Sequence, residues 1–169
     1  RKSNRPIFFF SVISLVNKCN NQFWTEIVKN KTILVITDKQ NEIDKQKNNL
    51  DNIWESKVFE NCEILTYPMP VNMNDISGNE MGVIDYAQNY ANNMGSTLQS
   101  KLNDIDMVLL GDSPFNWFTV YYFQKLNKTV IDIGDELDLY FGIYDNELQE
   151  RFKDFLSVYK NKHWINVIC

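Results

Sequence analysis

The chain has 169 residues, 44% of them hydrophobic and 14% aromatic, enough for one domain with a substantial core and unlike a disordered chain. A net charge of −5 and a pI near 4.9, with lysines scattered among Asn, Asp and Glu, exclude the basic face that a general nucleic-acid binder presents. Cys19, Cys62 and Cys169 lie far apart with no C-x-x-C, so neither a disulfide framework nor a zinc site is expected, and a reducing, cytoplasmic setting is the simpler one.

In chain order, Arg1 rather than Met is expected to mark a piece of a longer protein. Residues 1–30 read as a helical N-terminal segment, although the Phe8-Phe9-Phe10 run also suits a strand. The longest apolar stretch, Ile7 to Val16, is broken by serines and too short to span a bilayer, so no transmembrane segment is expected. Thr32 to Thr37 (TILVIT) is a buried strand, followed by a helix from Asn41 to Val58 with Ile43, Leu50, Ile53 and Trp54 at helical spacing. Cys62 to Thr66 is a second strand, closed by Tyr67-Pro68-Met69-Pro70 because proline does not continue a central strand. Asn72 to Glu80 has loop composition. Val83 to Leu102 places Ala87, Ala91, Met94 and Leu98 on one helix face. Met107 to Leu110 and Thr129 to Ile133 are short apolar runs without alternation, the pattern of strands buried on both faces. The helix between them is expected to bury Phe115, Phe118, Tyr122 and Leu126, and a last helix from Asn146 to Lys160 to bury Leu148, Phe152, Phe155, Leu156 and Tyr159. Strands alternating with helices predict an α/β fold over residues 1–169, a doubly wound, mainly parallel sheet of about four or more strands with helices on both faces.

Ligands of such sheets bind outside the carboxyl ends of the strands, where the last two strands each run into a glycine flanked by acids. After the first, Ser113 is expected to cap a helix whose first residue is Pro114, leaving free N–H groups for an anion. Asn116 could then reach a sugar or phosphate oxygen, and Trp117 could stack on a ring, although a core tryptophan is commoner. After the second, Gly134 leads to Asp135, Glu136 and Asp138, acids that a helix first turn favours in any case. Asp132 differs, because it lies inside an apolar strand and a buried carboxylate needs partners or a task. Acids from two strand ends would suit a divalent cation, Mg²⁺ or Mn²⁺. Asp38, Tyr67, Pro68 and Met69 end the earlier strands on the same edge. Asp104-Ile105-Asp106 falls at the opposite, amino edge, and Asp145-Asn146-Glu147 reads as a helix cap. A lone His163 makes no His-rich metal site, and neither a G-x-S-x-G nor a glycine-rich phosphate loop occurs. The NKT sequons at Asn30 and Asn127 precede buried strands and read as chance.

The blocks KTILVI, EILTYPMP and DMVLLGDSPFNWFTVYYFQKLNKTVIDIGDELDLYFGI, within residues 31–144, resemble the C-terminal two-thirds of GT-D-type glycosyltransferases and related polysaccharide-biosynthesis proteins. The likeness is carried by Leu110, Gly111, Lys128, Ile131, Asp132, Ile133, Gly134, Asp138, Phe141 and Gly142, and its distinctive part is the IDIG block after a lysine. The resemblance implies a Rossmann-like domain that moves a sugar from a nucleotide-sugar donor to a glycan or surface-polysaccharide acceptor with a divalent cation. On this reading Asp132 and Asp138 are the catalytic and metal-binding acids, and Gly111, Asp112, Ser113, Asn116 and Gly134 surround the donor. The family's acidic D-x-E element has no match between Arg1 and Asn30, so it is expected upstream of Arg1 or lost in this branch. The alternatives are a non-catalytic interaction or assembly domain on the same fold, and a metal-dependent phosphohydrolase using the same acids.

Overall fold

The unalternating apolar runs form strands covered on both sides. In the computed structural model, which describes residues 7–9, 27–69 and 82–167, the strands are Ile7–Phe9 (β1), Thr32–Thr37 (β2), Glu63–Pro68 (β3), Met107–Leu110 (β4) and Thr129–Asp132 (β5). They make one parallel sheet in the order β1-β5-β4-β2-β3. Successive side chains of a strand point to opposite faces. Ile33, Val35, Leu109 and Ile131 accordingly join one core, and Leu34, Ile36, Val108, Leu110 and Val130 the other.

The first core is closed by helices Gln40–Gln46, Leu50–Ile53, Leu137–Tyr140, Asn146–Arg151 and Lys153–Tyr159, which bring Ile43, Ile53, Leu139, Leu148 and Leu156. The second is closed by Val83–Leu98 and Asn116–Lys125, which bring Met94, Leu98 and Phe123. These last two helices pack closely, with Gly95 against the Tyr122 ring. This is the Rossmann-like doubly wound α/β architecture expected from the strand and helix pattern. The chain leaves β2 for β3 through one layer and reaches β4 through the other, so β2 and β4 are neighbours from which it departs in opposite directions. Their partners Ile36↔Leu110, Leu110↔Asp132 and Thr37↔Pro68 bring the carboxyl ends level along one edge.

Element ends depart from the periodicities for local reasons. Phe8 and Phe9 lie in a strand at Ile7–Phe9, and the rest of residues 1–26 falls outside the described residues, as does the expected loop Asn72 to Glu80. β3 continues through Pro68 because it is an edge strand, where a missing N–H costs no ladder bond. The helix after β2 passes through a 3₁₀ turn at Lys47–Asn49 and stops at Ile53, while the long amphipathic helix stops at Leu98 and turns on to Asp104. The last helix breaks at Phe152, whose buried ring interrupts the run at φ −112°. Between β4 and β5 the buried stripe is Phe115, Thr119 and Phe123, at i, i+4 and i+8; Leu126 is 40% exposed and Trp117 57% exposed. Leu126 falls one residue past the helix, which ends in a Schellman motif: Lys128 N–H donates to Phe123 O (3.0 Å) and Asn127 N–H to Gln124 O (3.0 Å), with Asn127 left-handed at φ 59°. Among the described residues no helix is long and apolar enough to cross a membrane.

A second, two-stranded parallel sheet pairs Ile143–Tyr144 (β6) with Ile165–Asn166 (β7). Gln46, fully buried, fastens it to the first helix by donating to His163 O (2.8 Å) and Gly142 O (3.4 Å), and the Trp54 indole donates to Tyr140 O (2.9 Å). Phe141 stacks on Phe59 at 4.6 Å. Gly142 makes the bend into β6 at φ +67°, where a Cβ would lie 2.7 Å from Ile53 Cδ1. Gly142→Ala combines left-handed strain with that clash, so it is expected to cost roughly 1–3 kcal/mol. A lowered urea midpoint with an unchanged m-value checks this, and a midpoint equal to wild type contradicts it.

Candidate active site at the carboxyl edge of the sheet

The level strand ends and the opposite departures of β2 and β4 open a cavity of about 250 Å³. β2 contributes Thr37 and, just beyond it, Asp38 and Lys39. The turn after β4 contributes Gly111, Asp112 and Pro114, and the turn after β5 Gly134, Asp135 and Asp138. Met69, Asp145, Glu147, Leu148 and Arg151 complete the wall. Gly111 sits where the wall is tightest: its N–H donates to Ile36 O at 3.0 Å, and a Cβ would come within 3.1 Å of Met69 Cε. Gly134, at φ +74°, has no atom beyond its chain neighbours within 4 Å of where a Cβ would be, so that side of the backbone is bare, while its N–H is bonded to Asp132.

The lining carries six carboxylates against two cations, Lys39 and Arg151. Lys39 lies 3.5 Å from Asp38, and Arg151 forms a two-pronged ion pair with Asp135 whose longer arm is 3.3 Å. Both members of the Arg151–Asp135 pair are nearly half exposed, so solvent screening limits it to about 0–1 kcal/mol.

The two acids singled out in the sequence have separate surroundings. Asp138, in the first turn of its helix, faces the cavity and is only 8% exposed. Burial pushes its carboxyl up to about 7; Asp38, Asp145 and Glu42 add repulsion, and Lys39 offsets part of it. Asp132, half-buried, is not in the wall. Its Oδ1 accepts from Asn116 Nδ2 at 3.1 Å and it accepts the Gly134 N–H, two bonds that offset part of the rise caused by burial and by Asp112. The same Asn116 amide donates to Gly111 O at 2.7 Å, so Asn116 ties the end of β4 to the end of β5. Asn116 and Asp132 are thus engaged with each other, and neither lines the cavity.

The Ser113 helix N-terminus also differs from expectation. The helix begins at Asn116, and Ser113 occupies the turn before it, its hydroxyl accepting from Phe115 N–H (3.1 Å) and its carbonyl from Asn116 N–H (3.1 Å). Two of the N–H groups expected to be free for an anion are consumed locally, and Ser113 does not line the cavity. Asp145 is a helix cap as its sequence suggests, accepting from Leu148 N–H at 2.9 Å. Asp106 sits at the amino edge, where it accepts the Thr32 N–H at 3.0 Å. Of the residues that carry the family resemblance, Gly111, Gly134 and Asp138 line the cavity. Lys128 lies at the other edge, where its ammonium donates to Ile105 O (2.6 Å) and Asn103 O (3.1 Å). Arg151 had no sequence signal, since it lies on a helix face that periodicity marks as solvent-exposed.

Among the described residues no three His, Cys, Asp or Glu side chains gather as a metal-binding group, and Asp132 and Asp138 do not share the cavity. A dedicated protein-only metal site does not fit this arrangement. Asp38 and Asp112 are two exposed carboxylates of the cavity wall. No protein-family model matches the chain, and no curated protein or solved structure matches it.

The surroundings of the two acids lead to different outcomes on substitution. Asp138 titrates at about 7 when folded and near 4 when unfolded, so between those values the folded chain holds the extra proton and stability falls as pH rises, levelling above 7. Asp138→Asn removes this loss: its urea midpoint should match wild type at pH 4 and exceed it at pH 8 by no more than about 4 kcal/mol of stability. A wild-type stability flat from pH 4 to 8 would contradict the buried acid. Asn116→Ala and Asp132→Ala should each cost about 1–3 kcal/mol through the lost clamp. Their double-mutant cycle should show coupling, and additive losses would exclude the clamp.

Proposed function

We propose that the chain is a nucleotide-sugar-dependent glycosyltransferase domain acting on a glycan or surface-polysaccharide acceptor, with Asp138 as general base. The observation that carries this reading is a carboxyl titrating near neutrality in the wall of a cavity at the sheet's switch point. A base is most effective when its pKa lies near the working pH. The resemblance of the IDIG block and of Gly111 and Asp138 to GT-D-type transferases supports the same assignment.

In the proposed reaction the donor diphosphate lies along the bare backbone at Gly134 and over Gly111. Asp138 takes the proton of an acceptor hydroxyl as its oxygen bonds to the anomeric carbon, and the bond from that carbon to the phosphate oxygen breaks, the nucleoside diphosphate leaving with the electron pair. Asp38 and Asp112 would hold a divalent cation, which neutralises phosphate charge when bound. Asp132 acts through Asn116, keeping the Gly111 and Gly134 turns side by side. A non-catalytic binding domain is the second reading, favoured by the absence of a gathered metal-ligand group among the described residues.

Release of UDP or GDP from a panel of nucleotide-sugars, with Mn²⁺ or Mg²⁺ and mono- and oligosaccharide acceptors, tests the proposal. Turnover should require acceptor, rise with pH through about 7 as Asp138 loses its proton, and fall about 10²-fold or more in Asp138→Asn with nucleotide affinity retained. Equal consumption without acceptor would favour the phosphohydrolase, and nucleotide binding without turnover the non-catalytic domain.

A further inference from the structure

The cavity wall is dominated by carboxylates, yet the proposed donor is anionic, so a fixed cation in the wall would favour its phosphates beside the proposed divalent ion. Arg151 has the geometry for that task. Its helix is fixed at one end by the Asp145 cap (2.9 Å to Leu148 N) and by the buried side chains of Leu148 and Phe152, with the guanidinium 5.0 Å above the Phe152 ring. The base of the side chain is therefore held while its charged end reaches the cavity. A guanidinium fork matches phosphate oxygens as well as it matches a carboxylate. Its present partner, Asp135, stands on the turn that begins at the bare Gly134, and the pair is exposed and weakly held.

We propose that Arg151 is the phosphate-holding residue of this cavity and that Asp135 is its resting partner, displaced when a nucleoside diphosphate binds. Asp135 thus occupies Arg151 in the empty cavity and competes with the ligand for it. This rests on the transferase reading, and it adds a donor-binding residue and a built-in competitor to that reading. Charge repulsion alone would let an acid in the wall weaken binding whether or not Arg151 is present. Competition for one guanidinium singles out Asp135, which hydrogen-bonds it, over Glu147, which lines the same cavity and acts on Arg151 through its charge.

Calorimetric titration of UDP and of GDP, each with Mn²⁺, into wild type and five variants, three single and two double, decides it; Arg151 and Asp135 are both exposed, and circular dichroism confirms that each variant is folded. Arg151→Gln should weaken binding at least about 10-fold, the scale of a charge-assisted bond. Asp135→Asn should tighten it about 2–5-fold, the scale of an exposed ion pair, and more than Glu147→Gln does. In the Arg151→Gln background Asp135→Asn should lose its advantage over Glu147→Gln. Wild-type protein that binds neither nucleotide overturns the transferase reading and this inference with it. Binding that Arg151→Gln leaves intact, or an Asp135→Asn gain that persists without Arg151, overturns the inference alone.

Discussion

The structure depends on the burial of β2 and β4 on both faces. Ile33 and Val35 need cover on one side, Leu34 and Ile36 on the other, and Leu109 and Leu110 repeat the demand on the neighbouring strand. One layer of helices cannot meet it, so the chain must leave β2 through one layer and come back to β4 through the other. The crevice at Thr37 and Gly111 is the geometric residue of that requirement. Packing first sets where the strand ends lie, and the chemistry of the edge is then whatever the turns place there.

The strand interiors were legible because burial on both faces leaves a local trace: Thr32–Thr37 and Met107–Leu110 are the runs read from composition. Helix ends were less so. Leu126 continues an apolar spacing, but the left-handed Asn127 ends the helix before that spacing can be used. Pro68 stops a strand only if the strand is central, and position in a sheet is a nonlocal property. At the site, Asp132 stood out because it interrupts an apolar run, and its partner Asn116 sits sixteen residues away. By spacing alone Asp138 is like any acid in a first helical turn, and the resemblance of the IDIG block is what marks it. What distinguishes it physically is its burial in the folded chain and, after that, the charge of Asp38 across the switch point, which no spacing within one element records.

The residues behind the family resemblance divide along the same line. Lys128, Phe141 and Gly142 serve the scaffold: an ammonium binding two carbonyls at the amino edge, a stacked ring, and a bend that only glycine makes without strain. Gly111, Gly134 and Asp138 serve the cavity. A sequence block of this kind is a joint record of fold and site, and the scaffold positions alone could survive in a protein whose chemistry has changed.

The link from Gln46 to Gly142 and His163 bears on how the chain acquires its shape. The first helix after β2 finds its buried amide partners 96 and 117 residues later, and Trp54 finds its carbonyl acceptor 86 residues later. During synthesis the early half emerges with Ile43, Ile53 and Trp54 still lacking their C-terminal cover. Contacts of such sequence separation slow folding, and the waiting apolar surface invites misassociation. The first βα unit is thus an element whose native packing is completed only when the last helices arrive.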